Sequence, residues 1–195
     1  MRYKEIEKNK EINAYLTKGN ANLGQLGFTD HSQAHCVQVA HQAGKILKRF
    51  GYSEHEIELA KIAGYMHDIG NAINRTHHAE YGALLANELL KDTDMSLEDR
   101  ITVVSAIGNH DESTGSPVDV ISAALIIADK TDVRRSRVRQ KERSAFDIHD
   151  RVNYAVTDSK LKIAKDRSVI ALNLQIDENI CSMYDYFEIF LERMM

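Results

Sequence analysis

The sequence predicts a mainly helical protein, and three observations carry that reading. A chain of 195 residues holds one proline, Pro117, and ten glycines, too little punctuation for a fold of many strands and turns. Apolar residues recur at intervals of three and four over most of the first 130 positions, which is the spacing of a helix face. Helix-start signals precede several of these stretches, among them "SEHE" at 53–56 and "SLED" at 96–99, where a serine is followed three residues on by an acid.

The elements follow in order. Tyr3 to Lys18 reads as one charged amphipathic helix. In "GFTDHSQAH", Thr29 or Asp30 is the expected N-cap of a second helix, in which Cys36, Val39, Ala40, Ala43, Ile46, Leu47 and Phe50 keep helical spacing up to Gly51. A third runs from the Ser53/Glu56 capping box through Leu59, Ile62, Ala63 and Met66 and stops at Gly70. A fourth opens near Thr76 with Tyr81, Leu85 and Leu89 on one face, and a fifth follows "SLED" with Ile101, Val103, Val104, Ala106 and Ile107. "SPVD" at 116–119 predicts a sixth start, with Ser116 as N-cap and Pro117 in the first turn, and that helix is expected to continue past Asp132. After about residue 154 the period changes. "AVTDSKLKIA" and "SVIALNLQI" alternate around "KDR", the pattern of a β-hairpin, and "MYDYFEIFLERMM" follows as a helix.

Composition narrows the class of function. The formal net charge is −4, which gives no global attraction to nucleic acid or an anionic membrane. The longest strongly apolar run, "AALIIA" at 123–128, is far too short to span a bilayer. "MRYKEIEKNKEI" has no apolar core of the signal-peptide kind, so a cytoplasmic protein is expected. Cys36 and Cys181 form no CxxC motif and read as reduced, buried thiols. The basic run Arg134, Arg135, Arg137, Arg139, Lys141 and Arg143 reads as a solvated helix face, with polyphosphate or nucleic-acid binding as the competing use.

The informative residues are polar ones at apolar positions. His35 lies four residues before Val39, and His31 one turn earlier on the same stripe. His67 and Asp68 occupy the last turn before Gly70. His78 shares the face of Leu85, His110 that of Val103, Ala106 and Ile107, and Asp129 that of Ile121, Leu125 and Ala128. Each alone is weak evidence, because a single buried histidine is commonly satisfied by a backbone carbonyl, and the HD dipeptide occurs three times in this chain. Jointly, five successive predicted helices aim imidazole or carboxylate at what should be core. A divalent cation resolves this, since it neutralises the acids and uses the imidazole lone pairs.

The ordered set His35, His67-Asp68, His78, His110, Asp129 resembles the HD-domain metal-dependent phosphohydrolase superfamily. "HCVQVAHQAG" at 35–44 is similar to its HSxxVAxxAG helix, "AGYMHDIGN" to its (A/G)xLHDIGK signature, and "HHAEYGA" to its HxxxG helix start. "VSAIGNHDE" and "ALIIADKTD" match its fourth and fifth motifs, so the resemblance covers about residues 28–135. It implies a mainly α protein: an HD helical bundle with a small C-terminal β-hairpin and helix. The expected organisation is an N-terminal helix at 1–27 packed on the core, the metal-binding domain at 28–150, and the hairpin and helix at 151–195 within the same globule.

The resemblance further implies that His35, His67, Asp68 and Asp129 hold a first ion. His78 and His110 match the added ligands of binuclear members, with Asp68 bridging, and His31 stands where trinuclear members place another. One or two divalent ions are expected: Mn²⁺, Fe²⁺, Co²⁺, Ni²⁺ or Zn²⁺, with Mg²⁺ less apt for a mixed N/O set. The expected reaction is hydrolysis of a phosphate ester or anhydride of a small, nucleotide-like substrate, with Asp68 catalytic, Lys130 contacting phosphate, and Asp111 as proton donor or orienter. No membrane partner and no nucleic acid are expected; a homodimer through a strand edge or through Phe187, Ile189, Phe190 and Leu191 is. The chain departs from the pattern at Asn71, where lysine is frequent, and at Asp111, where some binuclear members have a second histidine. His77 competes with His78, but the following "AEYG" favours His78. A metal-stabilised regulatory protein and a di-iron oxygenase are the alternative classes.

Overall fold

In a computed structural model the protein is mainly helical with one two-stranded antiparallel sheet. The structure describes residues 1–139 and 148–194. The elements are α1 (Tyr3–Glu7), α2 (Lys10–Gln25), α3 (Gln33–Phe50), α4 (Glu54–Met66), a 3-10 turn (Ile69–Ala72), α5 (His78–Lys91), α6 (Leu97–Gly108), α7 (Val120–Lys130), a second 3-10 turn (Arg135–Arg137), α8 (Ile148–Ala155), β1 (Val156–Ile163), β2 (Ile170–Ile176) and α9 (Met183–Met194). They group into two compact units: residues 1–27 with 31–129, and residues 28–30 with 130–195.

In the first unit, the single N-terminal helix expected from the sequence is two. Asn9 breaks it, because its Oδ1 accepts from the amides of Glu11 (2.9 Å) and Ile12 (3.1 Å) and so caps a new helix. Ile12, Leu16 and Leu23 of α2 are buried, each contributing about 1.5–3 kcal/mol, and α2 packs on the first 3-10 turn. The N-cap of α3 is Ser32 rather than Thr29 or Asp30. The Ser53/Glu56 capping box forms at the head of α4 as read, and Ser96 caps α6 by accepting from Asp99 N at 3.1 Å.

Two glycines set the close packing. A Cβ on Gly64 would lie 2.8 Å from Ala40 Cα, so α3 and α4 touch backbone to backbone. A Cβ on Gly70 would overlap the carbonyl oxygen of His78 and lie 2.5 Å from Gly82 N, which is why the turn after His67-Asp68 can dock on α5. This contact also explains a misread face. The buried positions of α5 are Ala79, Gly82, Ala83, Ala86 and Leu90, while Tyr81, Leu85 and Leu89 are only partly buried. Small side chains are needed where the neighbour is backbone.

Helix α7 starts later and ends earlier than expected. Asp119, not Ser116, does the capping: its Oδ1 accepts from Ser122 N at 2.7 Å, and Ser122 Oγ accepts in return from the amides of Val118 and Asp119, both at 2.9 Å. The helix stops at Lys130.

In the second unit, β1 and β2 pair in antiparallel register, with Leu161 opposite Leu172 and Lys160 opposite Asn173. Val152, Ala155, Val156, Cys181, Tyr186 and Phe190 form its core, with Ile189 packed against them. Phe190 is therefore core, and of the expected dimer residues Phe187 is the one with an exposed side chain; that of Leu191 lies outside the described residues.

Over its described part, Arg134–Arg139, the basic run is not a solvated helix face. Arg137 is 4% exposed and donates to the carbonyls of Asp30 and Asp132, both at 2.9 Å. Arg139 donates to those of Phe28 (2.8 Å) and Thr29 (3.2 Å). Arg134 forms a two-pronged pair with Asp132, and Arg135 donates to Tyr154 O at 2.6 Å while lying over its ring. These arginines bind the second unit together. Lys141 and Arg143 lie outside the described residues.

Candidate metal centre

The first unit brings His35, His67, Asp68, His78, His110 and Asp129 to one place. Helix α3 supplies His35, the end of α4 supplies His67 and Asp68, α5 begins with His78, His110 follows α6, and Asp129 comes from α7. His35 Nε2 lies 3.2 Å from Asp129 Oδ1 and 3.6 Å from Asp68 Oδ2. His67 Nε2 lies 3.3 Å from Asp68 Oδ2 and 3.7 Å from Asp129 Oδ1. The rings of His35, His67, His110 and His78 follow one another edge to face at 5.0–5.2 Å. All four are at most 3% exposed, and Asp68 is 4% exposed.

The imidazoles are held in one tautomer by the chain. His67 Nδ1 meets the carbonyl of Gly64 at 2.9 Å, His110 Nδ1 that of Ile107 at 2.6 Å, and His78 Nδ1 that of Arg75 at 3.2 Å. In each case the acceptor is three residues back. With Nδ1 committed to a carbonyl, it is Nε2 that each ring turns toward the cluster. Asn71 plays the matching part for the acid: its Nδ2 donates to Asp68 Oδ1 at 2.7 Å and to Asp68 O at 3.0 Å.

Burial sets the electrostatics. Desolvation alone would lower the His67 imidazole, but Asp68 and Asp129 beside it outweigh that and hold it up at about 10. Burial alone would raise the Asp68 carboxyl, but His67, His31 and His35 keep it well below its usual range. His110 is pushed down to about 4 by burial and by His67 and His78, and His78 is lowered by burial and by Arg75. The two acids thus draw positive charge into their midst.

Among the described residues, three groups of donor atoms, the atoms of each lying within 4.8 Å of one another, could hold a metal ion: His35/His67/Asp129, Cys36/His67/Asp68 and Asp68/His78/His110. Donors about 3–4 Å apart are what bonds of ~2.1 Å around one centre demand. Asp68 Oδ2 is buried beside the Nε2 atoms of His67 (3.3 Å) and His35 (3.6 Å) without a geometrically good hydrogen bond among the described residues, a setting that favours positive charge at that oxygen. Geometry, donor chemistry and that oxygen all fit a divalent ion.

The remaining expected residues fall as follows. His31 stacks edge-on against His35 at 5.5 Å but is in none of the three groups. His77 takes a left-handed backbone (φ 60°) at the N-cap position of α5 without a side-chain capping bond and points to Glu80 with an exposed side chain, so His78 is the inward member of the pair. Asp111 is committed on both oxygens: Oδ1 accepts from Ser113 N (2.8 Å) and Oγ (2.6 Å), and Oδ2 lies 3.2 Å from His78 Nδ1. Burial would raise its carboxyl, but Ser113 and the two histidines leave it lowered. Lys130 is partly buried, makes no side-chain hydrogen bond or ion pair among the described residues, and groups with the second unit. Two participants went unread. Cys36 could have been found from its place beside His35, but Arg75, whose Nη1 lies 3.3 Å from His78 Nε2, gave no sequence signal.

A family model described as HD domain matches residues 33–137. The chain belongs to the HD domain family. HD domains bind divalent metals and are typically metal-dependent phosphohydrolases. The chain is 28% identical over 172 residues to an uncharacterized protein of Methanocaldococcus jannaschii, covering 76% of this chain and 66% of that one. It is 33% identical over 126 residues to ribonuclease Y of Aster yellows witches'-broom phytoplasma and 32% over 122 residues to that of Campylobacter jejuni subsp. doylei. Each match covers 61% of this chain but only 22% and 21% of the ribonuclease, so the likeness is to one HD domain within longer proteins. No solved structure gives a significant match.

Proposed function

We propose that this HD protein hydrolyses a phosphate ester or anhydride of a small, nucleotide-like substrate. The observation that carries the reading is Asp68, a buried carboxylate set between His67 and His35 on one oxygen and held by Asn71 on the other. His35, His67, Asp68 and Asp129 would hold the ion, with His78 and His110 extending the site. A divalent cation bound there would supply Lewis acidity toward a phosphoryl oxygen and toward the attacking water.

The protein's own groups do the rest. The Gly64 and Ile107 carbonyls lock His67 and His110 with Nε2 inward. Asp111, with both oxygens engaged, orients His78 rather than delivering a proton. The side chains of His35, His67, His78, His110 and Asp68 are buried, which strengthens the charge interactions among them. A small substrate is favoured over a polyanion because Arg134, Arg135, Arg137 and Arg139 are engaged within the second unit.

The ribonuclease Y relatives support a second reading, in which the bond cut is a phosphodiester in RNA. One experiment separates the two: metal analysis together with hydrolysis of bis-p-nitrophenyl phosphate, a nucleotide panel and a short RNA, for wild type, Asp68→Ala and Lys130→Ala. The proposal expects bound transition metal, turnover of small phosphates, loss of at least ~10³-fold in Asp68→Ala, and a raised KM in Lys130→Ala. RNA as the preferred substrate selects the second reading. A metal-free protein, or full activity in Asp68→Ala, removes both.

A further inference from the structure

The half of the site built from His78 contains a cation of the protein's own. His78 has one lone pair to give. Its Nδ1 faces two acceptors, the Arg75 carbonyl and Asp111 Oδ2, each at 3.2 Å, so the ring proton lies on that side. The lone pair on Nε2 receives Nη1 of Arg75 at 3.3 Å. Arg75 therefore grips both ring nitrogens, by its carbonyl on one side and its guanidinium on the other. One lone pair cannot serve a guanidinium and a metal ion together.

We infer that the Arg75 guanidinium stands in for a second ion, so that the chain holds one divalent ion in the His35/His67/Asp68/Asp129 group. The inference rests on the metal role proposed above. Charge balance agrees with it. Asp68, Asp129 and Asp111 bring three negative charges, and one divalent ion plus one guanidinium match them, as a buried site requires. A second ion that displaced Arg75 would leave a positive charge in excess. Arg75 also borders a cavity of about 320 Å³ lined by Asn22, Gln25, Asn71 and Asn74 together with Leu26 and Ile73.

The test is ion stoichiometry, read without reference to turnover. Full-length wild type, Arg75→Ala and Arg75→Met are titrated with Mn²⁺ by calorimetry, and the loaded proteins are examined by electron paramagnetic resonance. Circular dichroism checks folding, and Arg75→Met fills the space should Arg75→Ala unfold. Wild type should bind one ion and give an isolated Mn²⁺ spectrum. The variants should bind two, with second-ion affinity raised about tenfold or more, and show a spin-coupled pair. Two coupled ions in wild type, or a folded variant that stays at one, overturns the inference and leaves the hydrolase reading standing. No ion in any of the proteins overturns both.

Discussion

At Asn71 a short amide stands where the resemblance leads one to expect lysine. The side chain does not reach outward for phosphate. It turns back and donates to Asp68 Oδ1 at 2.7 Å, fixing which carboxylate oxygen stays available. Asn71→Ala should therefore weaken Mn²⁺ binding by about 10–100-fold while leaving the far-ultraviolet circular dichroism unchanged; calorimetric titration checks it. An affinity equal to that of wild type would show that the hydrogen bond does not position the acid. Residue types at apolar positions made most of this cluster legible: His35, His67, Asp68, His78, His110 and Asp129 each interrupt a helix stripe. Arg75 was illegible for a physical reason. Nothing in the local sequence says that an arginine three residues before a histidine will turn onto that ring, since the same spacing also suits a solvated side chain.

Among the elements, the junction of α4, the 3-10 turn and α5 controls the site. Gly70 lets the turn reach α5, and α5 carries His78. Gly70→Ala forces the two backbones apart and should cost ~3 kcal/mol or more, measured by urea unfolding; a loss under ~1 kcal/mol would mean the contact yields easily. The N-terminal helix makes a pH-dependent attachment. Glu58 Oε2 accepts from Tyr3 N at 3.0 Å, and Oε1 takes Lys61 Nζ at 3.0 Å. Burial would raise the Glu58 carboxyl, but the Tyr3 amide, Lys61 and Arg2 hold it below its ordinary 4.5. A depressed carboxyl stabilises the fold fully above its unfolded value and loses that contribution as pH falls. Amide exchange in α1 should accelerate, relative to α4, below about pH 4.5, and Glu58→Gln should abolish the dependence. Capping boxes such as Ser53/Glu56 were readable because both partners lie within one turn. The buried face of α5 was not, because its neighbour is backbone, which rewards alanine and glycine over leucine.

Across the whole molecule, the chain divides into a unit that carries the donors that could hold a metal and a unit that carries the hairpin and the arginines. The boundary escapes sequence reading because Phe28–Asp30 joins the second unit through Arg137 and Arg139, more than a hundred residues away. Charge counts cannot distinguish an arginine that binds carbonyls from one that awaits a polyanion. Among the described residues no helix is long and apolar enough to cross a membrane. One divalent ion is proposed to sit among His35, His67, Asp68 and Asp129 of the first unit. Anomalous diffraction at the manganese edge, from crystals grown with Mn²⁺, tests it most directly. A strong peak bonded to those four side chains, with Arg75 still on His78, is the expected result; no peak among them, or a peak elsewhere in the chain, would refute the single-ion site.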